Sequence, residues 1–171
     1  ASTLISSVLA QNGAKVETFL PHRMDDGYGL TPDSIAKACS EHHSLLVTVD
    51  CGITSHEAVE AARRQNIDVV VTDHHEPAEQ LPVAVAVVDP KVATDDERLK
   101  ELAGVGVAFK VCHAFIKYGR EHNLGGFSTD LREVLDLVAL GTVADIVPLL
   151  DENRCLVKHG LQALSRQHRP G

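Results

Sequence analysis

The stretch that most constrains the fold is Val69-Val70-Val71-Thr72-Asp73-His74-His75. Four β-forming residues in a row read as a buried strand, and the run stops abruptly in one carboxylate and two imidazoles. In open α/β sheets the ligand crevice lies outside the carboxyl ends of the strands, so three metal-competent side chains there predict a site. Two other segments repeat the arrangement. Leu45-Leu46-Val47-Thr48-Val49 ends in Asp50, and the apolar face Leu135, Val138 and Ala139 leads through Gly141 to Asp145. Three elements that each end in an acid or imidazole are expected to converge on one divalent cation.

The intervening chain supplies the rest of an α/β pattern. Thr54 and Glu57 predict a capping box for a helix through Arg64, between strands at 45–49 and 67–72. A helical crossover between two apolar strands is the signature of a parallel sheet. Val83 to Val88 reads as a further buried strand, closed by Asp89-Pro90-Lys91. Helices are predicted over 2–12, from Pro32 with Thr31 as cap to about His42, and over 104–118, 130–140 and 153–165. Lys15 to Leu20 alternates like a short strand, and Pro21 to Leu30 has the composition of an exposed loop. The expectation is an α/β fold, a mainly parallel β-sheet flanked by helices, with residues 1–171 forming one domain.

Composition limits the function. A net charge of -8 and a pI near 5.6 count against binding nucleic acid by phosphate neutralisation alone. A cation held by carboxylates reverses the local field, so a metal-centred site escapes that objection. The absence of any run near 18 apolar residues excludes a spanning helix. Cys39, Cys51, Cys112 and Cys155 are widely spaced with no C-x-x-C pair, which points to reduced thiols in a cytoplasmic setting rather than a disulfide framework or zinc site. The chain starts at Ala1 without a methionine or signal segment and stops just after a helical pattern, so both ends read as cut.

Each candidate also has a purely structural reading. Asp73-His74-His75 could be a polar turn, but its position at a strand end, beside a parallel strand that also ends in Asp, favours a site. Asp50 could cap the turn that Gly52 allows. Asp145 stands among apolar residues, where burying an acid without a cation or donors is costly. Asp95, Asp96, Asp130 and Asp136 fall on patterns that suit solvated faces, and the remaining histidines read as structural or solvated.

Val71-Thr72-Asp73-His74-His75, Val49-Asp50-Cys51-Gly52 and Ala139-Leu140-Gly141-Thr142-Val143-Ala144-Asp145 together resemble successive motifs of the DHH phosphoesterase superfamily. Gly27-Tyr28-Gly29-Leu30 and Ala103-Gly104-Val105-Gly106-Val107-Ala108-Phe109-Lys110 are similar to segments of its single-strand-specific DNA exonucleases. The resemblance covers nearly the whole chain. It implies a partial DHH catalytic domain whose first strand and Asp-x-Asp motif are missing before Ala1, so weakened metal binding and little activity are expected of the chain by itself.

The resemblance also implies roles. Asp50 would bridge two Mn²⁺ or Mg²⁺ ions, and His74 and Asp145 would complete the shell of one. His75 would face the scissile phosphate, while Asp73 would serve catalysis from outside the shell, orienting the adjacent histidine or the turn. Arg23 would contact a DNA phosphate and Tyr28 would stack on a base. The implied activity is hydrolysis of single-stranded DNA from its 5′ end to mononucleotides, by a cytoplasmic enzyme of DNA repair and recombination, monomeric when intact, with repair proteins as further partners. Two alternatives stay open: a DHH phosphoesterase acting on pyrophosphate or a dinucleotide, and a non-enzymatic DHH-like scaffold in a replication or repair assembly.

Overall fold

The computed structural model describes residues 1–21, 29–40, 42–93, 95–166 and 169. The chain divides into two compact units, one formed by Phe19–Asp95 and the other by Ala1–Thr18 together with Asp96–Gly171.

The Phe19–Asp95 unit carries the sheet. Its elements are α2 (Pro32–Ser40), β1 (Leu45–Val49), α3 (His56–Arg64), β2 (Asp68–Thr72), β3 (Ala86–Val88) and the short α4 (Pro90–Ala93), while α1 (Ser2–Gln11) belongs to the other unit. The strands lie side by side in the order β1-β2-β3, all parallel. Leu45 pairs with Asp68 and Val49 with Thr72, so β1 and β2 end at the same level. Ile35 and Ala38 of α2 pack with Ala58, Val59 and Ala62 of α3 and with Ile67, Val69 and Val71 to form the core of this unit. Fully burying side chains such as Ile35, Val59 and Val71 contributes about 1.5–3 kcal/mol each. That burial holds β2 in place beneath its polar end.

Local signals explain most of the boundaries. Thr31 and Ser34 cap α2 reciprocally, Ser34 N–H donating to Thr31 Oγ1 at 3.3 Å and Thr31 N–H to Ser34 Oγ at 3.0 Å. The α3 helix starts one residue later than the Thr54–Glu57 pattern predicts: Ser55 is its N-cap, and no side chain caps it. The predicted strand at 83–88 shortens to Ala86–Val88, and Val83 and Val85 are exposed. In the described sheet β3 is an edge strand, where an apolar run can complete a ladder without having both faces covered. Val85 shows this directly, since its N–H donates to Val69 O at 2.9 Å although its side chain faces out.

Just inside the polar edge, Thr48 and Thr72 clamp β1 to β2. Thr72 Oγ1 donates to Thr48 O at 2.6 Å, and Thr72 N–H donates to Thr48 Oγ1 at 3.3 Å. Both side chains are buried, so each bond replaces one that water cannot supply. Thr72→Val, which keeps the shape and removes the hydroxyl donor, is expected to destabilise the protein by about 1–2 kcal/mol in urea unfolding. No loss would show that the carbonyl finds another donor.

The second unit is helical. It contains α1 (Ser2–Gln11), α5 (Glu97–Lys100), α6 (Gly104–Glu121), a 3₁₀ turn (Leu131–Val134), α7 (Leu135–Ala144) and α8 (Asp151–Leu164). Leu4, Ile5 and Val8 bury the apolar side of α1, which packs on α6. Lys15 to Leu20 is not a strand: alternation permits one, but no described strand pairs with it to complete a ladder. The predicted helix at 130–140 opens as the 3₁₀ turn and continues to Ala144. Gly160 lets α8 come against α7, for a Cβ there would stand 2.2 Å from Leu135 O and 2.4 Å from Ala139 Cβ. Asp136, expected on a solvated face, is buried, and its Oδ2 accepts from Arg169 Nε at 2.7 Å. Asp130 does remain at the surface, where the Arg132 side chain and N–H hold its carboxyl down to about 2. Among the described residues no helix is long and apolar enough to cross a membrane.

Candidate metal centre

The carboxyl edge of the sheet gathers the polar ends of two adjacent strands. Asp50 follows β1 and continues its ladder, donating N–H to Thr72 O at 2.9 Å. Its backbone is left-handed, with φ of 66°, a region that Asp and Asn tolerate better than other non-glycine residues. Gly52 completes the turn at φ 107°, and a Cβ there would also stand 2.8 Å from Thr48 Oγ1. Both the dihedral and the space require glycine. The strained turn sets the Asp50 carboxylate against β2, with Oδ1 3.1 Å from His74 Nε2.

The two histidines differ in setting. The His74 side chain is mostly buried, whereas His75 is about half exposed, and their rings stand 4.5 Å apart at 54°. Ligand-competent atoms of Asp50, His74 and His75 all lie within 4.8 Å of one another. Asp73 is buried beneath them. Its Oδ2 accepts Ile53 N–H at 3.0 Å, and its Oδ1 accepts His74 N–H at 2.8 Å and stands 2.6 Å from His75 Nδ1. Burial alone would raise the Asp73 carboxyl, but the donors from Ile53, His75 and His74 outweigh it and hold it below its ordinary range.

Asp50 Oδ1 is buried and makes no hydrogen bond, although His74 Nε2 is close. A carboxylate oxygen and an imidazole nitrogen 3.1 Å apart are close enough to serve a common cation. The set mixes a hard carboxylate with imidazoles, oxygen and nitrogen donors that Mn²⁺ accepts more readily than Mg²⁺, which favours oxygen ligands. Cys51 adds no thiolate, since burial, reinforced by Asp73 and Asp50, pushes its thiol up to about 11. Cys112 is pushed up to about 12 by burial, while Cys155 is exposed. At pH 8 a thiol reagent is therefore expected to modify Cys155 well before Cys51 or Cys112, as read by mass spectrometry of partly labelled protein. Early labelling of Cys51 would contradict its protected setting.

The remaining sequence candidates belong to the other unit or lie outside the described residues. Asp145 belongs to the helical unit, where it follows α7 and donates N–H to Gly141 O at 3.1 Å. It is exposed, not buried among the apolar residues around it, because α7 ends there and its flanking residues Val143 and Ile146 are themselves exposed. Arg23 and Tyr28 lie outside the described residues. One acid at the sheet edge was not anticipated. Asp89, one residue past β3, is fully buried; its Oδ1 accepts Lys91 N–H at 2.8 Å while its Oδ2 makes no hydrogen bond. Burial pushes its carboxyl up, Asp73 adding to the effect against the Lys91 N–H. Its only sequence signal is an acid directly after an apolar run, as in Asp50 and Asp73, here masked by the following proline.

Parallel β-strands flanked by helices, with a carboxylate and two imidazoles at their carboxyl edge, make a DHH-type α/β fold with a candidate metal centre. The chain belongs to the DHH family: the profile of the DHH family, N-terminal domain, matches residues 1–142. It is 44% identical over 172 residues to the single-stranded-DNA-specific exonuclease RecJ of Dickeya dadantii, an alignment that takes in 98% of this chain and 30% of that protein. Against the RecJ of Bacillus subtilis it is 39% identical over 171 residues, 100% of this chain and 20% of the relative. A crystal structure of exonuclease RecJ bound to manganese superposes with a TM-score of 0.81 at 36% identity, over 94% of this chain and 39% of the other. That of RecJ from Thermus thermophilus in complex with Mn²⁺ gives 0.75 at 34% identity, over 94% and 22%. The chain thus spans about a third or less of the curated relatives it matches.

Proposed function

We propose that this chain carries metal-binding residues of a nuclease that hydrolyses single-stranded DNA from its 5′ end to mononucleotides, in DNA repair and recombination. The observation that carries the reading is the convergence of Asp50, His74 and His75 at the sheet edge. In this reading residues 1–171 are part of one DHH catalytic domain. Asp50 and His74 would hold Mn²⁺ or Mg²⁺, two ions being expected from the motif resemblance, which adds Asp145 as a ligand. Bound there, the ions supply Lewis acidity that acidifies water and offsets charge developing on phosphate oxygens.

The chain's own residues do the rest. Asp73, saturated with donors, locks the turn and fixes the His75 ring through its Nδ1. The other nitrogen of that half-exposed ring is then available to a phosphate oxygen, as donor or as proton carrier. Arg23 and Tyr28 contact the strand through a phosphate and a base. Single-stranded DNA is the substrate, and repair proteins are further partners of a monomeric enzyme.

The test is incubation with Mn²⁺ and single strands labelled at the 5′ or the 3′ end, on the chain alone and on its full reading frame. Mononucleotides released from the 5′ end of the strand by the full reading frame, with weak activity from the chain alone, are expected. Turnover of pyrophosphate or dinucleotides in place of DNA would replace the substrate class. Mn²⁺ binding with no hydrolysis by the full reading frame would favour a scaffold.

A further inference from the structure

The net charge of -8 conceals one stretch of the opposite sign. Between positions 104 and 132 stand four basic residues, Lys110, Lys117, Arg120 and Arg132, against two acids, Glu121 and Asp130. Within the helical unit, all six side chains line an open cleft of about 780 Å³ between one face of α6 and the segment 128–132. Lys110, Lys117 and Arg120 share that face, in a row about 15 Å long.

Their charges are unequally compensated. Lys110 is ion-paired with Glu152 of α8, and Arg132 with Asp130 at 2.6 Å. Lys117 stands 3.8 Å from Glu121 with both side chains more than half exposed, a pair that water and salt screen. Arg120 directs its donors at neutral oxygens, Nε to Phe127 O at 2.8 Å and Nη2 to Thr129 O at 3.0 Å. Those bonds fix the guanidinium without cancelling its charge. They also hold the opposite wall, where Phe127 packs on Phe115 with ring centroids 5.0 Å apart and Asn12 Nδ2 donates to Thr129 Oγ1 at 2.9 Å. The cleft is therefore formed before anything enters it. Its floor is apolar, with Ile116 buried and Phe109 and Leu131 partly buried.

A fixed cationic row beside an apolar floor that includes an aromatic ring suits one nucleic-acid strand, phosphates along the cations and bases turned to the floor. Resting on the nuclease reading above, we propose that this cleft is a second contact for the single DNA strand, contributed by the helical unit. Lys117 and Arg120 meet its phosphates, and Phe109 meets a base.

Binding of a labelled oligothymidylate, followed by fluorescence anisotropy in EDTA, tests this without metal or hydrolysis. Lys117→Gln is expected to weaken binding roughly five- to tenfold at 50 mM salt and to lower the slope of log affinity against log salt by about 0.7, the share of one phosphate contact on a single strand. Glu121→Gln, the other member of the loose pair, is expected to tighten binding. Both side chains are exposed, so neither change touches the core, and a merely structural role would not move affinity in opposite directions. Unchanged affinity in both variants, or no binding by the unsubstituted chain, overturns the cleft as a strand contact. Displacement of the strand by poly-glutamate at equal concentration also overturns it, in favour of an acidic protein partner. Photo-cross-linking of thymine to residues 109–132 is expected, and cross-links confined to Phe19–Asp95 overturn the proposal. Hydrolysis in Mn²⁺ tests the nuclease reading apart from these measurements, so each can fall alone.

Discussion

Asp50→Asn is expected to lower Mn²⁺ affinity on the order of 100-fold, at the upper end of what supporting residues around a metal contribute, with little change in the urea midpoint. Asparagine tolerates the left-handed backbone of this position, so the turn into Gly52 survives. Asp50 also packs no core, its side chain being about 40% exposed. What disappears is the anionic oxygen 3.1 Å from His74 Nε2. A neutral amide oxygen donates more weakly and no longer offsets a divalent charge. Titration of Mn²⁺ into folded variant decides the matter, and an unchanged affinity would show that Asp50 holds no cation. His74→Ala is a less clean probe, because it also removes the ring packed on His75.

Gly160→Ala is expected to be among the most destabilising single methyl additions in the chain, by about 1–3 kcal/mol or somewhat more. In an exposed helix the same change stabilises by up to about 1 kcal/mol, since alanine restricts the unfolded chain. Here the added carbon would stand 2.2 Å from Leu135 O, a backbone atom that cannot swing aside, and 2.4 Å from Ala139 Cβ. Relief requires α8 to move off α7. Gly125→Ala, with nothing within 4 Å of the new carbon, is the matched control and should change stability little. Urea unfolding of the pair gives the comparison; a stabilised Gly160→Ala protein would mean that the helices cross less tightly than described.

The sheet was legible because its strands are short, apolar and punctuated. The bounds of β1 follow from Leu45–Val49 alone, and β2 was placed to within a residue by the run before Asp73. Parallel pairing then brings Asp50 beside His74 as a matter of register, so the gathering of those residues was implicit in two strand ends. What escaped depends on partners distant in sequence. Asp136 is buried because Arg169 reaches it from 33 positions away, and no local pattern carries that information. Val83 and Val85 are exposed because the described sheet ends at β3, and an apolar run does not say whether it lies at an edge. Asp145 is exposed because α7 stops there, although its neighbours are apolar. Asp89 was passed over because Asp-Pro reads first as a turn, and its burial comes from the strand beside it.

The division of the chain carries a consequence for its synthesis. Phe19–Asp95 is continuous in sequence, whereas the helical unit begins with Ala1–Thr18 and resumes only at Asp96. On the ribosome, α1 emerges ahead of the sheet unit with the apolar side formed by Leu4, Ile5 and Val8, yet the helix it packs against, α6, starts at Gly104. At ordinary elongation rates that interval lasts about 5–20 s. The sheet unit can complete its core within that time, while the first helix waits with its greasy side uncovered. Nascent chains arrested before α6 should therefore present the α1 segment to proteases and chaperones, and lose that sensitivity once α6 has been made.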